Sequence, residues 1–156
     1  MSELRIEING LKEEQARMQA RVAAMQGEPF LQAMKTATLI VQRGAKINAP
    51  VDTGRLRSSI TPEIRTISAT EVHGVVGSNL AYAPYVELGT RAHFPPPGAL
   101  AVWARRHGIP EFLVQRAISV RGTKAVHYLE NAFREAIPSI VRILEDAVGR
   151  IMRSDE

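Results

Sequence analysis

The residues in this chain that could do chemistry are few and widely spaced. The four histidines, at positions 73, 93, 107 and 127, have no metal-ligand spacing, and the sequence contains no cysteine. The HExxH, DxD and GxSxG patterns are absent, and no glycine-rich phosphate loop precedes a predicted helix. The basic turn at 121–124 lacks the first glycine and the preceding strand of such a loop. We therefore predict that the chain is not an enzyme and that it holds no metal and no cofactor.

Two carboxylates lie in turn-forming stretches and are the remaining candidates for acid–base work. Asp52 follows Pro50 and can accept backbone N–H groups in an Asx or Ser/Thr turn, or cap the next turn. Glu87 can pair with Arg91 or with Arg55. An active site would also need a nucleophile placed beside a base, and the sequence offers none. Structural roles are therefore the simpler interpretation of both acids.

The composition is that of one globular domain. The 156 residues are 45% hydrophobic, which is enough to build a core without disulfides. No apolar run approaches the roughly 20 residues that a membrane-spanning helix needs. The charged N-terminus is unlike a signal peptide. We expect a soluble protein made in a reducing compartment, with no membrane partner.

Positive charge is concentrated between Arg91 and Lys124. This segment contains six basic residues against the single acid Glu111, so its net charge of +5 exceeds the +4 of the whole chain. Such a block indicates a face that meets phosphate or an acidic protein, although a solvated helix face has the same composition. Aromatic residues make up only 5% of the chain, too few for a platform that stacks on single-stranded nucleic acid.

The N-terminal third predicts a short strand followed by two helices. Apolar and charged residues alternate over residues 4–8 before an Asn-Gly turn, which favours a strand. A helix is the alternative there, because apolar residues over 4–25 also keep a three–four spacing. We place the first helix from Leu11 and the second over 28–48, ended by Pro50.

Short segments rich in Ile, Val and Thr predict an antiparallel sheet in the middle of the chain. We expect strands at Ser58–Ser68, Thr70–Gly77 and Tyr82–Leu88. The first is an edge or bulged strand, because Pro62 cannot donate to a ladder. After this sheet we expect an extended proline-rich loop at Phe94–Gly98.

Helices are predicted for the rest of the chain. Two short ones are expected at Ala99–His107 and Glu111–Arg121, each ended by a glycine. The last should run from Val126 to Met152, with a kink at Pro138.

Together these elements predict an α+β fold, with a small antiparallel sheet of three to four strands packed against long N- and C-terminal helices. A two-helix insertion follows the sheet. We expect a single domain over residues 1–156. Its parts are an N-terminal strand and helices (1–48), a sheet core (49–91), a loop with a basic helical insertion (92–124) and a C-terminal helix (125–156).

The first distinctive motif, APVDTGRLRSSI at residues 49–60, joins a helix to a strand. Five of its residues have conformational roles: Pro50 stops the helix, Asp52 and Thr53 tie the turn, Gly54 permits a positive φ, and Leu56 anchors the loop in the core. Arg55 and Arg57 should then face outward.

The second motif, YAPYVELGTR at residues 82–91, has two tyrosines, a proline and a Gly-Thr turn. It is typical of a sheet edge that leads into an exposed loop. Ordinary hairpin chemistry explains it equally well when it is considered alone.

In this order and separation, APVDTGRLRSSI and VVGSNLAYAPYVELGTRAHFPPPGAL resemble the tail-completion and head–tail joining proteins of long-tailed bacteriophages and prophages. These are minor tail or neck components of the lambdoid "gene product ten"-like type. The resemblance is strong from Ala49 to about Trp103 and looser through 103–108 and 117–133. The chain departs from the family at 125–133, where relatives have a proline and a phenylalanine before the leucine.

The resemblance implies a structural virion protein, assembled in the host cytoplasm, that completes the tail end and joins it to the head at the neck. It implies a homo-oligomeric ring, expected to be hexameric, and partners among the tail terminator, the tail tube and the connector or stopper. Contact with DNA in the lumen would be non-specific. Interface residues would be Tyr82, Tyr85, Glu87, Gly89, Thr90 and Arg91, and the basic face adds Arg105, Arg106 and Arg121.

Two other functions fit the same sequence. A small basic DNA-binding module would use the positive segment, with an affinity that falls steeply with salt. A tail assembly factor absent from the finished virion would use the same surfaces as a structural component.

Overall fold

The computed structural model describes residues 11–24, 27–68 and 71–153 of the chain. Within them, seven helices and two strands follow one another. In chain order they are α1 (Leu11–Ala24), α2 (Glu28–Asn48), α3 (Arg55–Ser59), β1 (Ile60–Ser68), β2 (Glu71–Ser78), α4 (Ala83–Leu88), α5 (Ala101–Arg106), α6 (Glu111–Arg121) and α7 (Tyr128–Arg153). Along the chain, long helices precede and follow a small antiparallel sheet, which confirms the α+β class.

Helix α2 has the bounds that the sequence predicts. Pro29 lies in its first turn, where the missing N–H costs nothing, and Glu28 and Lys46 complement its dipole at the two ends. Small and β-branched side chains spaced four apart form its buried stripe: Ala33, Ala37, Val41, Ala45 and Ala49. Because most of these are alanines, other elements can approach the helix backbone closely.

The chain divides into two compact units. Unit 1 contains the residues up to 40, 62–76 and those from 136 onward, so it holds the first part of α2, most of the hairpin and the second part of α7. Its buried side chains include Thr38, Ala136 and Ala147. A Cβ at Gly74 of β2 would lie only 2.5 Å from the Thr38 methyl group, so glycine there lets the strand pass against α2.

Unit 2 contains residues 41–61 and 77–135. Its core is formed by Leu56, Ile60, Ala83, Ala104, Tyr128 and Ala132, all of them buried. Helices α2 and α7 approach closely within this unit, since a Cβ at Gly44 would lie 3.1 Å from the Cβ of Ala132. The Gln42 amide donates to the Ile60 carbonyl at 2.7 Å and so ties the start of β1 to α2.

The predicted third strand, Tyr82–Leu88, is wrong: residues 83–88 form helix α4. Pro84 lies in the first turn of a helix, where it is well tolerated, whereas in a strand it would remove a ladder hydrogen bond. Buried Ala83 and Glu87 are four residues apart, which is the spacing of one helix face. Within the described residues the sheet therefore has two strands, β1 and β2.

Smaller differences concern element ends. Residues 58–59 belong to α3, so β1 begins at Ile60 and not at Ser58. Helices α5 and α6 confirm the two-helix insertion, although α5 is shorter than predicted at its two ends. Helix α7 includes Pro138. The predicted strand at 4–8 lies outside the described residues.

In the ranges that the structure describes, no helix is both long enough and apolar enough to span a bilayer.

Candidate interaction surface

Helix α4 is short and is defined at each end by its sequence. The Tyr82 carbonyl accepts the N–H groups of Tyr85 at 3.1 Å and Val86 at 3.3 Å, which forms the first turn around Pro84. The helix ends at Gly89, whose φ of +69° is a left-handed conformation that favours glycine. Six residues cannot hold a stable helix alone, so contacts with other elements must stabilise α4.

The outer side of α4 exposes three large apolar side chains. Tyr82, Tyr85 and Leu88 are 42%, 62% and 69% exposed, and their spacing of three residues places them on one side of the helix. We call these three residues the α4 ridge. Exposed aromatic side chains on a rigid element are typical of protein interfaces.

The inner side of α4 is fixed by Glu87. Its two carboxylate oxygens accept the backbone N–H groups of Leu129 and Glu130, each at 2.9 Å, in the first turn of α7. The Glu87 carbonyl also accepts the N–H of His127 at 3.0 Å. Glu87 therefore caps α7 from another helix, where its charge also complements the helix dipole. It is buried and bonds these amides, not Arg91 or Arg55.

Tyr128 lies beneath this cap. It has no exposed surface, and its hydroxyl has no hydrogen-bond partner in the described part of the chain. Burial raises the pKa of the Tyr128 phenol, and the negative charge of Glu87 and the neighbouring Tyr82 raise it further. The ring fills the core of unit 2, while its hydroxyl carries an uncompensated desolvation cost.

A short backbone bridge fixes the segment that follows α4. Thr90 and Thr123 exchange N–H···O bonds of 3.1 and 3.2 Å, and their hydroxyls lie 3.0 Å apart. Glycines on both sides make this approach possible. A Cβ at Gly89 would lie 2.5 Å from the Thr123 carbonyl oxygen, and one at Gly122 would overlap the carbonyl oxygen of Thr90. Arg91 follows directly, with an exposed side chain.

The loop before α3 confirms several predicted features. Gly54 has a φ of +78°, Leu56 is buried, and Arg55 and Arg57 are exposed. Pro50 and Thr53 are exposed, and no side chain caps the N-terminus of α3. The loop is thus anchored through Leu56.

Asp52 has a longer-range contact than the predicted turn. Its carboxylate accepts a hydrogen bond from the Arg106 guanidinium at the end of α5, and the His107 ring nitrogen lies 4.0 Å from its other oxygen. The His107 ring stacks on Trp103, with centroids 4.1 Å apart. This arrangement joins the helix-to-sheet loop to the insertion. It also makes Arg106 part of the fold of unit 2.

Other basic residues of unit 2 differ from Arg106, which is paired with Asp52. Five exposed side chains have no carboxylate partner among the residues that the structure describes: Arg91, Arg105, Arg116, Arg121 and Lys124. Unit 2 as a whole holds eleven Arg and Lys residues against five Asp and Glu, a net charge of +6. The positive charge therefore belongs to this unit, and most of it can meet a partner.

One cluster could offer ligands to a metal ion. One atom each from Glu87, His127 and Glu130 lies within 4.8 Å of the others. The Nδ1 atom of His127 is 2.9 Å from a Glu130 carboxylate oxygen. Both oxygens of Glu87 already accept N–H groups, and the positive end of the α7 dipole disfavours a cation at this place. The cluster is better explained as the cap of α7.

Sequence reasoning missed three parts of this surface: the cap formed by Glu87, the burial of Tyr128 and the place of Leu88 on the α4 ridge. The helical spacing of Ala83 and Glu87 was the available signal for α4. Nothing in the sequence links Glu87 to residues 129–130, which are more than forty positions away.

Comparison with known proteins places these features in a family. Residues 7–89 match the sequence profile described as "Bacteriophage HK97-gp10, putative tail-component". The match ends at Gly89 and so includes both the loop anchored by Leu56 and the α4 ridge. No curated protein and no solved structure matches the chain. Since the matched segment is more than half of the sequence, the chain belongs to the HK97-gp10 family of bacteriophage tail components, which are virion proteins that act alongside other tail proteins.

Proposed function

We propose that this protein completes the end of a phage tail and joins the tail to the head at the neck, as a homo-oligomeric ring of six copies and without catalysis. Its partners in this role are the tail terminator, the tail tube and the connector or stopper. The family of tail components supports this assignment. The α4 ridge is the main observation in favour of this proposal, because it exposes large apolar side chains of the kind found at protein interfaces.

The rigidity of α4 supports contact through the ridge. The helix is held by the Glu87 cap, by the Thr90–Thr123 bridge, and by the Val126 N–H, which donates to the Val86 carbonyl at 3.0 Å. A side chain that is already fixed loses little further entropy when it binds. Tyr85 and Leu88, the most exposed members of the ridge, are therefore well placed as anchors.

The geometry of α4 also changes the kind of contact that we propose. The sequence predicts a strand at residues 82–88, and the free edge of such a strand could pair with a neighbouring copy. Because they form a helix, they have no free strand edge to offer. The contact instead uses side chains of a helix face, whose specificity comes from shape and apolar burial.

Cryo-electron microscopy of the intact neck of the parent particle tests the proposal. We expect density for this chain in a ring between the connector and the tail tube, with the α4 ridge against another protein. A well-resolved neck without this density would overturn the structural role. A ring in which the ridge faces solvent would overturn the proposed contact alone.

A complementation assay tests the ridge separately. We expect Tyr85→Ala with Leu88→Ala to reduce the number of tailed particles at least tenfold. The matched control is Val102→Ala on α5, which truncates a side chain of similar exposure (58%) away from the ridge. Equal particle counts for both variants would contradict a role for the ridge.

A DNA-binding function is the second candidate, and the exposed cations and net positive charge of unit 2 favour it. It requires a binding constant that falls steeply with salt, with a slope set by the number of phosphates contacted. DNA passing through a lumen should not be held tightly, so for a neck ring we expect only weak binding. The affinity for duplex DNA should therefore be measured between 50 and 200 mM salt. A protein that binds through many phosphate contacts loses roughly 10³-fold in affinity over this range, and this loss distinguishes a DNA-binding module from a neck ring.

An assembly factor would use the same surfaces and leave the particle. Mass spectrometry of purified virions distinguishes this role. Peptides of this chain at a few copies per particle support a structural component, and their absence supports an assembly factor.

A further inference from the structure

Helix α6 presents apolar side chains to solvent. None of its eleven residues is buried. Phe112 and Val120 are 62% and 69% exposed, and Leu113 is 45% exposed. Phe112, Arg116 and Val120 follow one another at intervals of four, so they lie along one side of the helix, with Leu113 beside them. We call Phe112, Leu113, Arg116 and Val120 the outer face of α6.

This pattern is the reverse of an ordinary surface helix. A solvated helix turns its polar residues outward and its apolar residues to the core. Here the outward side carries the largest apolar groups, and at its centre is Arg116, which has no carboxylate partner among the described residues. Such a face suits an apolar groove that is rimmed by a carboxylate.

Unit 1 contains a groove of this kind between α2 and β1, with a volume of about 380 Å³. Its apolar lining includes Leu31, Leu39, Pro62 and Ile64, and the acidic residues Glu28 and Glu63 also line it. We call it the α2–β1 groove. Lys35 also contributes to the lining, so the three charged groups sum to one negative charge.

The carboxylate of Glu63 is available for exchange. It pairs with Arg65 at 2.7 Å, but both side chains are more than half exposed. An exposed pair of this kind contributes little, because water screens it. A guanidinium brought in beside the groove can therefore replace Arg65 as the partner of Glu63 at a small cost in free energy.

We propose that the outer face of α6 in one copy of the chain docks into the α2–β1 groove of a second copy, with Arg116 directed toward Glu63. This contact rests on the ring in the proposed function and names the surfaces that form it. Charge complementarity identifies the second copy as the occupant. The unit that carries α6 has a net charge of +6, whereas the rest of the chain has nine basic against eleven acidic residues.

The contact joins two different surfaces, so each copy keeps one free surface of each type after the first contact. Such heterologous contacts propagate from copy to copy and close into rings when the rotation allows. A symmetric pairing of one surface with itself would stop at two copies. The proposed contact thus accounts for a ring from features of a single chain.

The absence of cysteine in the sequence makes cross-linking a clean test. One variant carries Val120→Cys and another carries Leu39→Cys, and the two are mixed and oxidised. We expect a disulfide-linked heterodimer several times more abundant than either homodimer, because cross-linking needs the two Cβ atoms within about 4.5 Å. The matched control replaces the first variant by Val102→Cys, which is exposed on α5.

Two other cross-links would overturn the proposal. A dominant homodimer of the Val120→Cys variant would show that α6 pairs with itself. A cross-link within one chain between Leu39→Cys and Ile6→Cys would show that the N-terminal segment of the same copy occupies the groove.

Sedimentation velocity supplies an independent readout. We expect Phe112→Ala to weaken self-association by on the order of 30-fold, as for a central interface anchor. Arg116→Glu should weaken it as well, and Arg116→Glu combined with Glu63→Arg should restore it. A ring that forms in the neck and is indifferent to all three variants would overturn this contact while leaving the proposed function in place. No heterodimer above the control would also overturn it.

Discussion

At the scale of single residues, Glu87 decides how α4 is held. Its two oxygens accept two N–H groups of the first turn of α7, and the residue is almost fully buried. Helix N-termini leave such donors unsatisfied, and a charged acceptor from elsewhere in the chain satisfies them as well as a local cap does. A single carboxylate thereby couples the α4 ridge to α7, the longest of the described helices.

Replacing this carboxylate by an amide should be costly. We expect Glu87→Gln to lower the free energy of unfolding by about 2 kcal/mol, because one charge-assisted hydrogen bond is lost and the other is weakened. Urea denaturation gives this value. The control is Glu130→Gln. Its carboxylate pairs with Arg134 and lies 2.9 Å from the His127 ring nitrogen, but these side chains are exposed by more than 40%, so it should contribute only about 0.5 kcal/mol. Equal effects of the two variants would show that Glu87 is not a cap.

Tyr128 offers a test with the opposite sign. Its buried hydroxyl has no hydrogen-bond partner within residues 11–24, 27–68 and 71–153, so we expect Tyr128→Phe to raise the free energy of unfolding by about 1 kcal/mol near neutral pH. The raised pKa of the folded phenol means that the folded state holds the proton more tightly. The wild type should therefore lose stability as the pH rises above about 10, the value for an unfolded tyrosine.

The variant should lack this part of the alkaline loss. Tyr85→Phe, on the exposed α4 ridge, is the control and should keep the wild-type slope. Denaturation curves between pH 8 and 11 make the comparison, and a Tyr128→Phe variant with an unchanged slope would contradict the assignment.

At the scale of elements, the segment after α4 depends on a close backbone approach. The Thr90–Thr123 bridge joins the end of α4 to the end of α6, and side chains at Gly89 or Gly122 would occupy the same space as the opposite backbone. The bridge also brings Arg91 beside the C-terminus of α6. The α4 ridge and the exposed Arg91, both of which we propose for partner contact, are in this way held by one pair of residues.

We expect Gly122→Ala to destabilise unit 2 by about 3 kcal/mol. Alanine is strained at a φ of +70°, and its Cβ would overlap the Thr90 carbonyl and break the bridge. Gly54→Ala is the matched control, since its φ is +78° but nothing lies within 4 Å of the added Cβ, so about 1 kcal/mol is expected. Thermal denaturation of both variants separates strain from overlap, and equal losses would contradict the close approach.

At the scale of the whole molecule, charge is divided between the two units. Unit 2 carries the net charge of +6, and the remaining residues carry a small negative charge. Arg106 is already bonded to Asp52, so the surface that we propose for partner contact consists of the other exposed cations. Electrostatic fields of this kind act mainly on association rates and on the choice of partner.

A triple substitution tests this surface. We expect Arg105→Glu, Arg121→Glu and Lys124→Glu together to reduce phage titre at least a hundredfold while the melting temperature changes little, because all three side chains are exposed and unpaired among the described residues. Arg106→Glu is the contrasting variant and should lower the melting temperature, since it breaks the contact with Asp52. A normal titre for the triple variant would refute a role for the basic face.

Local patterns of the sequence determined much of this protein. The bounds of α2, the proline that ends it, the glycine at 54 and the bounds of α6 each depend on residues within one or two turns, and all agree with the structure. The order of the two motifs also indicated the family, which the match over residues 7–89 confirms. The proposed ring, its copy number and the site residues remain predictions.

Only the tertiary structure decided the conformation of residues 82–91. Six residues around a proline are too short for their local preferences to separate helix from strand, and contacts with α7 and with Thr123 settled the choice. The same holds for Glu87, whose partners lie more than forty positions away, and for the groove between α2 and β1. Caps, bridges and grooves of this kind join distant segments, so no local pattern of the chain encodes them.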